Sequence, residues 1–112
     1  MLELSERRDA DGAVCLSLIG ELDLSVTDRL RLHLDQLQRS QRRVRIDLSQ
    51  LEFIDCSGVA LILAALREAR GAQRALEVDR HVSPNVSRVI SLVQIASDLW
   101  PGDALGDCVA PS

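Results

Sequence analysis

The 112-residue sequence predicts a single α/β domain, in which helices pack on a mixed sheet of four to five strands. Three observations carry this prediction. Some segments alternate apolar and polar residues, as strands do, and others repeat apolar residues with the period of a helix. The two kinds follow one another in the order strand, strand, helix, strand, helix, strand, helix. Finally, no repeat or linker divides the chain, and its length suits one core.

The first two strands are predicted close to the N-terminus. Residues 2–8 fit a first strand. Residues 13–19, AVCLSLI, fit a second strand, and both of its alternating sets are fairly apolar, so we expect it inside the sheet. Gly20 is expected to end this strand.

The first helix is predicted from Ser25 onward, where the apolar period changes from two to nearly four. Ser25 and Asp28 have the spacing of a capping box, which would place the helix start at Ser25. The apolar stripe of this helix consists of Val26, Leu30, Leu34 and Leu37.

The next strand and helix flank a polar cluster. Residues 43–48, RVRIDL, alternate regularly and predict a strand. The aliphatic run that starts at Val59 is too long for a strand and continues into LREARG, so it predicts a helix that ends at Gly71.

A last strand and helix complete the predicted domain. Residues 75–78, ALEV, fit a short strand. Ser83 and Pro84 then predict a helix start, with serine as the cap and proline at the first helical position. Residues 97–112 contain two prolines and two glycines, and we expect a loosely ordered tail there.

Composition excludes several classes of function. A net charge of −4 and a pI near 5.1 argue against a nucleic-acid partner. The longest apolar run, Val59 to Leu66, is too short for membrane insertion, and no signal-peptide stretch opens the chain. Three cysteines without a Cys-x-x-Cys spacing fit reduced thiols, so we expect a cytoplasmic protein.

The polar cluster Asp55-Cys56-Ser57-Gly58 lies where a strand hands over to a helix, and it admits four interpretations. The simplest is that Ser57 caps the helix. A nucleophile is disfavoured because the glycines of Gly-x-Ser-x-Gly are missing, and the only histidines for a Cys56 or Ser57 dyad are His33 and His81.

A metal site is disfavoured because Asp55 and Cys56 are adjacent and lack ligands at paired spacing. A chain without lysine also cannot form the Gly-x-x-x-x-Gly-Lys nucleotide loop, so no metal or other cofactor is expected. Phosphate acceptance by Ser57 is the chemistry that remains open beside the simple cap, because the free N–H groups and partial positive charge of a helix N-terminus tolerate a phosphoserine.

The helix after the cluster offers a face for a partner protein. At 100° per residue, its outward face would carry an exposed leucine beside two alanines and a glutamate, which makes a mildly apolar docking patch. Isolated exposed apolar residues are also ordinary on protein surfaces, so the pattern leaves both interpretations open. The predicted partner-binding residues are Leu61, Ala64, Ala65 and Glu68.

Three segments resemble the signature of STAS domains, in particular of bacterial anti-sigma-factor antagonists. The segment IDLSQLEFIDCSGVALILAALREAR resembles the family's strand, Asp-Ser/Thr-Ser-Gly motif and aliphatic helix. GELDLSVTDRL at 20–30 resembles its Gly-Glu-Leu-Asp segment, and SPNVSRVISL at 83–92 resembles its last helix. Cys56 stands where this family usually has serine or threonine.

The resemblance implies a switch that works through protein contacts and not through catalysis. The unphosphorylated antagonist binds an anti-sigma factor that is also a serine kinase, and this frees a sigma factor. Phosphorylation at the position of Ser57 releases the complex, and a protein phosphatase resets it. Asp23, Asp55, Cys56 and Gly58 would support the phosphorylation corner.

Other members of the family imply an alternative function. Some STAS domains are accessory subunits of membrane transporters, including lipid-transport ATPase complexes, and have no phosphorylation cycle. A hydrolase that depends on Cys56 or Ser57 is a more distant third possibility.

Overall fold

The computed structural model describes residues 1–40 and 43–93, and these form one α/β domain. The described residues contain five strands, three α-helices and one short 3-10 turn at Leu24–Val26. The elements are β1 (Leu2–Arg8), β2 (Val14–Leu22), α1 (Thr27–Arg39), β3 (Val44–Leu48), β4 (Leu51–Ile54), α2 (Cys56–Gly71), β5 (Leu76–Val82) and α3 (Pro84–Val93).

The sheet is mixed, as the sequence predicted. Its strands lie in the order β1-β2-β3-β5, with β1 antiparallel to β2 and the other pairs parallel. β4 pairs with β2 alone, in parallel, through its contacts with Gly20, Glu21 and Leu22. The C-terminal ends of β2 and β4 therefore meet at one edge of the sheet, since parallel neighbours end on the same side.

β4 is a strand that the sequence pattern did not reveal. Its four residues read LEFI, and the buried members are the first and the last, Leu51 and Ile54. Two buried residues separated by two exposed ones do not alternate, and a strand of four residues is too short to show a period of two. Strand prediction from alternation therefore fails here.

One continuous core joins the sheet to all three helices. The buried positions of β3 alternate, as predicted, and every second residue of β2 from Val14 to Leu18 is buried on the same side. The largest fully buried side chains are Leu16, Leu18, Leu22, Leu30, Leu34, Val44, Ile46, Leu48, Leu51, Ile62 and Val86.

Gly20 does not end β2, which was the expectation, but lies inside it. The strand continues to Leu22, and the register against β4 shifts between Gly20 and Glu21. Gly20 has a φ of +106°, and a Cβ at this position would lie 2.5 Å from the carbonyl oxygen of Met1. Glycine is therefore needed for a bulge and for the close approach of the N-terminus.

The predicted start of α1 is also wrong. The helix begins at Thr27, after the 3-10 turn, and the residue before it makes no side-chain cap. Asp23 caps the turn instead of Ser25, because its carboxylate accepts the Ser25 amide. Gln38, outside the predicted apolar stripe, is buried as well.

The ends of α2 and α3 agree with the sequence. α2 ends at Gly71, and α3 begins at Pro84, where the Ser83 hydroxyl accepts the amide of Val86 at 3.4 Å. β5 is longer than the predicted 75–78 and runs to Val82. The predicted tail at 97–112 lies outside the described residues.

Candidate functional site

The connection from β4 to α2 places Asp55 at the C-terminal ends of the parallel strands. Asp55 has an extended backbone, with φ −110° and ψ −176°, and its amide donates to the carbonyl of Leu22 on β2 at 3.2 Å. Its own carbonyl accepts the amide of Val59 at 3.0 Å, which is the first helical bond of α2. Asp55 therefore hydrogen-bonds to β2 directly after the end of β4 and caps α2 at the same time.

The Asp55 carboxylate organises the start of α2. Its Oδ1 atom accepts the amide of Gly58 at 3.0 Å and the hydroxyl of Ser57 at 2.5 Å. The interpretation of Ser57 as the helix cap is thus wrong, because Asp55 already accepts the amide that a cap must satisfy. Ser57 lies inside the first turn of α2 and donates its hydroxyl to the cap.

This hydrogen bonding lowers the pKa of Asp55. The main cause is the Ser57 hydroxyl, followed by the amide of Gly58, and burial of the carboxyl opposes them. The amides of Ser57 and Leu24 add smaller contributions in the same direction. Asp55 is therefore ionised at neutral pH, and it acts as a hydrogen-bond acceptor that orients the Ser57 hydroxyl.

Gly58 allows α2 to approach the sheet closely. It is buried, and a Cβ built on it would lie 2.8 Å from Cγ of Leu22 and 2.9 Å from Cγ1 of Ile54. These two residues face each other across β2 and β4. A glycine is thus required here by packing, and the contact holds the first turn of α2 against both strands.

A second corner of the same design lies beside the first. Asp23 follows β2 as Asp55 follows β4, and its Oδ1 accepts the amide of Ser25 at 3.0 Å and its hydroxyl at 2.6 Å. No hydrogen bond among the described residues joins Asp23 to Ser57. The link between the corners is the Leu24 amide, which contributes to lowering the pKa of Asp55.

Two large apolar side chains, one on the turn after β2 and one on β4, are exposed, and the sequence analysis missed both. Ser57 is half-buried, whereas Cys56 is exposed with a free thiol. Leu24 is 74% exposed and Phe53 is 48% exposed. A signal for Leu24 exists in the sequence, because this leucine lies between Asp23 and Ser25 and outside the apolar stripe of α1.

The predicted partner face of α2 is largely turned toward α1. Leu61 is 5% exposed, so the expectation of an outward leucine is wrong. Together with Ala65 and Glu68 it lines a groove whose other wall belongs to α1, and Arg31 approaches Glu68 to 4.0 Å across it. The helical period was correct, but the position of α1 decided which side of α2 is covered. Ala64 is half-buried.

The two histidines lie in other contacts. His33 on α1 pairs with Glu6 of β1, and His81 is part of β5, where its ring contacts Asp79 at 3.2 Å. Neither hydrogen-bonds to Cys56 or Ser57 in the described part of the chain. Within residues 1–40 and 43–93, no group of three or more His, Cys, Asp and Glu side chains is placed to hold a metal ion. No helix among these residues is long and apolar enough to cross a membrane.

The family is shown by a match over most of the chain. The family model described as "Mlab, STAS domain" matches residues 5–100. The chain belongs to the STAS-domain family. Among curated proteins, none matches this STAS domain significantly.

Solved structures share the fold of this STAS domain. An anti-sigma factor antagonist from Mycobacterium paratuberculosis superposes with a TM-score of 0.73 at 23% identity, covering 98% of this chain and 92% of that one. Unphosphorylated SpoIIAA, an anti-sigma factor antagonist, has a TM-score of 0.65 at 22% identity, with 81% and 80% covered. Phosphorylated SpoIIAA from Bacillus, described as a cell fate determinant, has a TM-score of 0.62 at 22% identity, with 81% and 83% covered. The predicted fold is confirmed.

Proposed function

We propose that this STAS domain is an anti-sigma-factor antagonist whose partner binding is switched off by phosphorylation of Ser57, and that it is not an enzyme. The observation that carries the proposal is the Ser57 hydroxyl. It lies half-buried in the first turn of α2 and donates to an ionised carboxylate at 2.5 Å. The structural neighbours named as anti-sigma factor antagonists, one of them in a phosphorylated form, support the same function.

Phosphoryl transfer to Ser57 changes the corner in a defined way. A bond forms between Oγ of Ser57 and the γ-phosphorus of a nucleoside triphosphate, the bond to the nucleoside diphosphate breaks, and the hydroxyl proton leaves toward Asp55 and solvent. Ser57 can then no longer donate to Asp55, and the phosphate repels that carboxylate. Amides at the start of α2 stabilise the new charge, so the fold survives while the surface gains about two negative charges.

The bound partner is proposed to be an anti-sigma factor with serine kinase activity. The unphosphorylated corner presents a neutral hydroxyl with exposed Cys56 beside it, and the Asp55 charge is already compensated by hydrogen bonds from Ser57 and Gly58. A phosphate at its centre would have to be desolvated, which disfavours the complex. A protein phosphatase is proposed to reset the cycle. The proposal includes a cytoplasmic location, no nucleic-acid partner and no insertion into a membrane.

The supporting residues have separate roles in this proposal. Asp55 orients the hydroxyl and Gly58 holds the helix start against the sheet. Asp23 acts through the turn that presents Leu24. Cys56 is a small surface residue at the first helical position, and Ala64, Ala65 and Glu68 are the members of the predicted partner face that are not buried.

The test is a partner-capture experiment with a charge-matched control. Ser57→Asp should stop co-purification of the anti-sigma factor while circular dichroism stays unchanged, and Ser57→Ala should bind it constitutively. Ser87→Asp, an exposed serine on α3, adds the same charge elsewhere and should bind as the wild type does. Equal binding by wild type and Ser57→Asp would refute the switch.

The alternative function makes a different prediction for the same experiment. An accessory subunit of a membrane transport ATPase should co-purify with that ATPase, and Ser57 should carry no phosphate in any growth condition. This result would replace the antagonist by the transporter subunit without changing the fold.

A further inference from the structure

A second serine on the same edge of the sheet shares the hydrogen-bond arrangement of Ser57. The Ser25 hydroxyl donates to Oδ1 of Asp23 at 2.6 Å, two residues upstream, as the Ser57 hydroxyl donates to Oδ1 of Asp55 at 2.5 Å. In both cases the aspartate comes directly after a strand that ends at a buried Leu22 or Ile54. The chain therefore contains the proposed acceptor geometry twice.

The two serines face the same side of the domain. Leu22 and Ile54 are register partners in the parallel pair of β2 and β4, so the residues after them leave the sheet side by side. The amide of Leu24 also contributes to the lowered pKa of Asp55, which agrees with the turn after β2 lying near that carboxylate. A protein kinase that reaches Ser57 thus meets Ser25 on the adjoining turn.

Ser25 is the more accessible of the two hydroxyls. It is exposed, whereas Ser57 is half-buried, and its neighbour Leu24 is also exposed. Its hydroxyl and its backbone amide both donate to Oδ1 of Asp23, at 2.6 and 3.0 Å, so the amide still holds the turn when the hydroxyl is modified. Thr27, two residues on, differs in this respect, since its hydroxyl donates to the carbonyl of Leu24 at 3.0 Å.

We propose that Ser25 is a second phosphoacceptor of this domain, modified by a protein kinase that uses a nucleoside triphosphate. In the step, Oγ of Ser25 bonds to the γ-phosphorus, the nucleoside diphosphate leaves, and the hydroxyl proton passes by way of the Asp23 carboxylate to solvent. The inference rests on the proposed function, because it assumes that a kinase docks on this edge. It adds a second modification site, whose phosphate lies next to Leu24 on the same partner surface.

The experiment is phosphosite mapping of the full chain, purified from its native cells as wild type, Ser57→Ala and Ser25→Ala. Cleavage after arginine separates the two serines into residues 9–29 and residues 46–67. Fragmentation of the first peptide distinguishes Ser25 from Ser17 and Thr27, which serve as internal controls. We expect phosphate on Ser25 in the wild type and in Ser57→Ala, and its loss in Ser25→Ala alone.

The outcomes separate the inference from the proposed function. Phosphate on Ser57 with a bare Ser25 overturns the second site and leaves the switch at Ser57 intact. Phosphate on Ser25 with a bare Ser57 supports the second site and refutes the proposed switch. A chain that carries no phosphate on either peptide, or carries it on Thr27 instead, overturns the inference.

Discussion

The Asp55 corner and the Asp23 corner share a bond from a serine hydroxyl to the aspartate, but they lead into different structural elements. After Asp55 comes a helix of 16 residues, and after Asp23 comes a 3-10 turn of three residues. The third residue after each aspartate is the buried Gly58 in one corner and the half-buried Val26 in the other. The serine is half-buried in the first corner and exposed in the second.

The difference shows that an Asp-x-Ser turn sets the direction of a hydroxyl but not its surroundings. At the first corner, the missing side chain of Gly58 lets α2 settle onto Leu22 and Ile54, so Ser57 becomes part of a packed surface. At the second corner, Val26 is half-buried against the core and Ser25 is exposed. A phosphate on Ser57 would therefore lie at the start of a long helix, and one on Ser25 would lie on a more exposed turn.

Replacing Gly58 by valine, the residue that the Asp23 corner has at this position, should have the largest effect on stability. Gly58→Val places a side chain where Leu22 and Ile54 lie within 3 Å, and the resulting overpacking should lower the free energy of unfolding by about 2–3 kcal/mol. Urea denaturation measures it. Gly71→Ala is the control in the same helix, because no atom lies within 4 Å of its added methyl group. It should change stability by less than about 1 kcal/mol. Equal losses in both variants would contradict the packing role of Gly58.

The exposed leucine of the open corner should matter for binding and not for folding. Leu24→Ala should weaken binding of the anti-sigma factor about tenfold, or about 1.4 kcal/mol, while the free energy of unfolding changes by less than about 0.5 kcal/mol. Leu32→Ala on α1 is the matched control, because that leucine is 61% exposed and lies outside both corners. Titration calorimetry with the captured partner measures the affinity. If Leu32→Ala weakens binding as much as Leu24→Ala, the proposed location of the partner-binding surface around Leu24 is wrong.

Removing each capping carboxylate in turn should destabilise the protein to a different extent at the two corners. Asp55→Ala removes the acceptor for the Gly58 amide at the start of α2 and should lower the free energy of unfolding by about 1 kcal/mol. Asp23→Ala removes the cap of a three-residue turn, and we expect a loss of about 0.5 kcal/mol. Thermal or urea denaturation of both variants gives the ranking. The reverse order would show that the turn at Asp23, and not α2, is the more important support.

The smallest expected effect is on the stability of the protein at acid pH. The pKa of Asp55 is lowered in the fold, so its ionised form stabilises the protein above the unfolded pKa of about 4. This contribution is lost as pH falls through the lower folded pKa. Ser57→Ala removes the main cause and should shift the pKa of Asp55 upward, toward its ordinary value, in a carboxyl-resolved NMR titration. Ser25→Ala should leave the pKa of Asp55 where it is, and an equal shift in both variants would contradict the assignment.

Most of the fold could be predicted from the sequence, because its elements are regular. The alternation in β3 and the Ser83-Pro84 start of α3 are local signals, and the structure agrees with both. β4 could not be predicted, because only contacts with β2 make a strand of Leu51–Ile54. The same holds for Gly20, whose role depends on the distant Met1.

In the candidate site, too, the locally encoded features could be predicted and those that depend on distant contacts could not. The Asp55-Cys56-Ser57-Gly58 motif marked the correct handover between strand and helix, because strand ends and helix starts are encoded locally. Which residue caps the helix was misjudged, since both Asp55 and Ser57 suit that role and the choice depends on where the sheet ends. The outward face of α2 was misjudged because a helical period gives the spacing of a face, but the neighbouring helix decides whether water reaches it.

The sequence by itself determined the fold class, the three helices, four of the five described strands and the motif that contains the proposed acceptor serine. These features depend on the period of the apolar residues and on residue types at short separations, which the chain carries locally. Tertiary structure alone decided the pairing of β2 with β4, the position of the turn after β2 beside the end of β4 and the burial of Leu61. The reason is physical: each of these results from packing between segments about 30 residues apart, and no local pattern records which surfaces will meet.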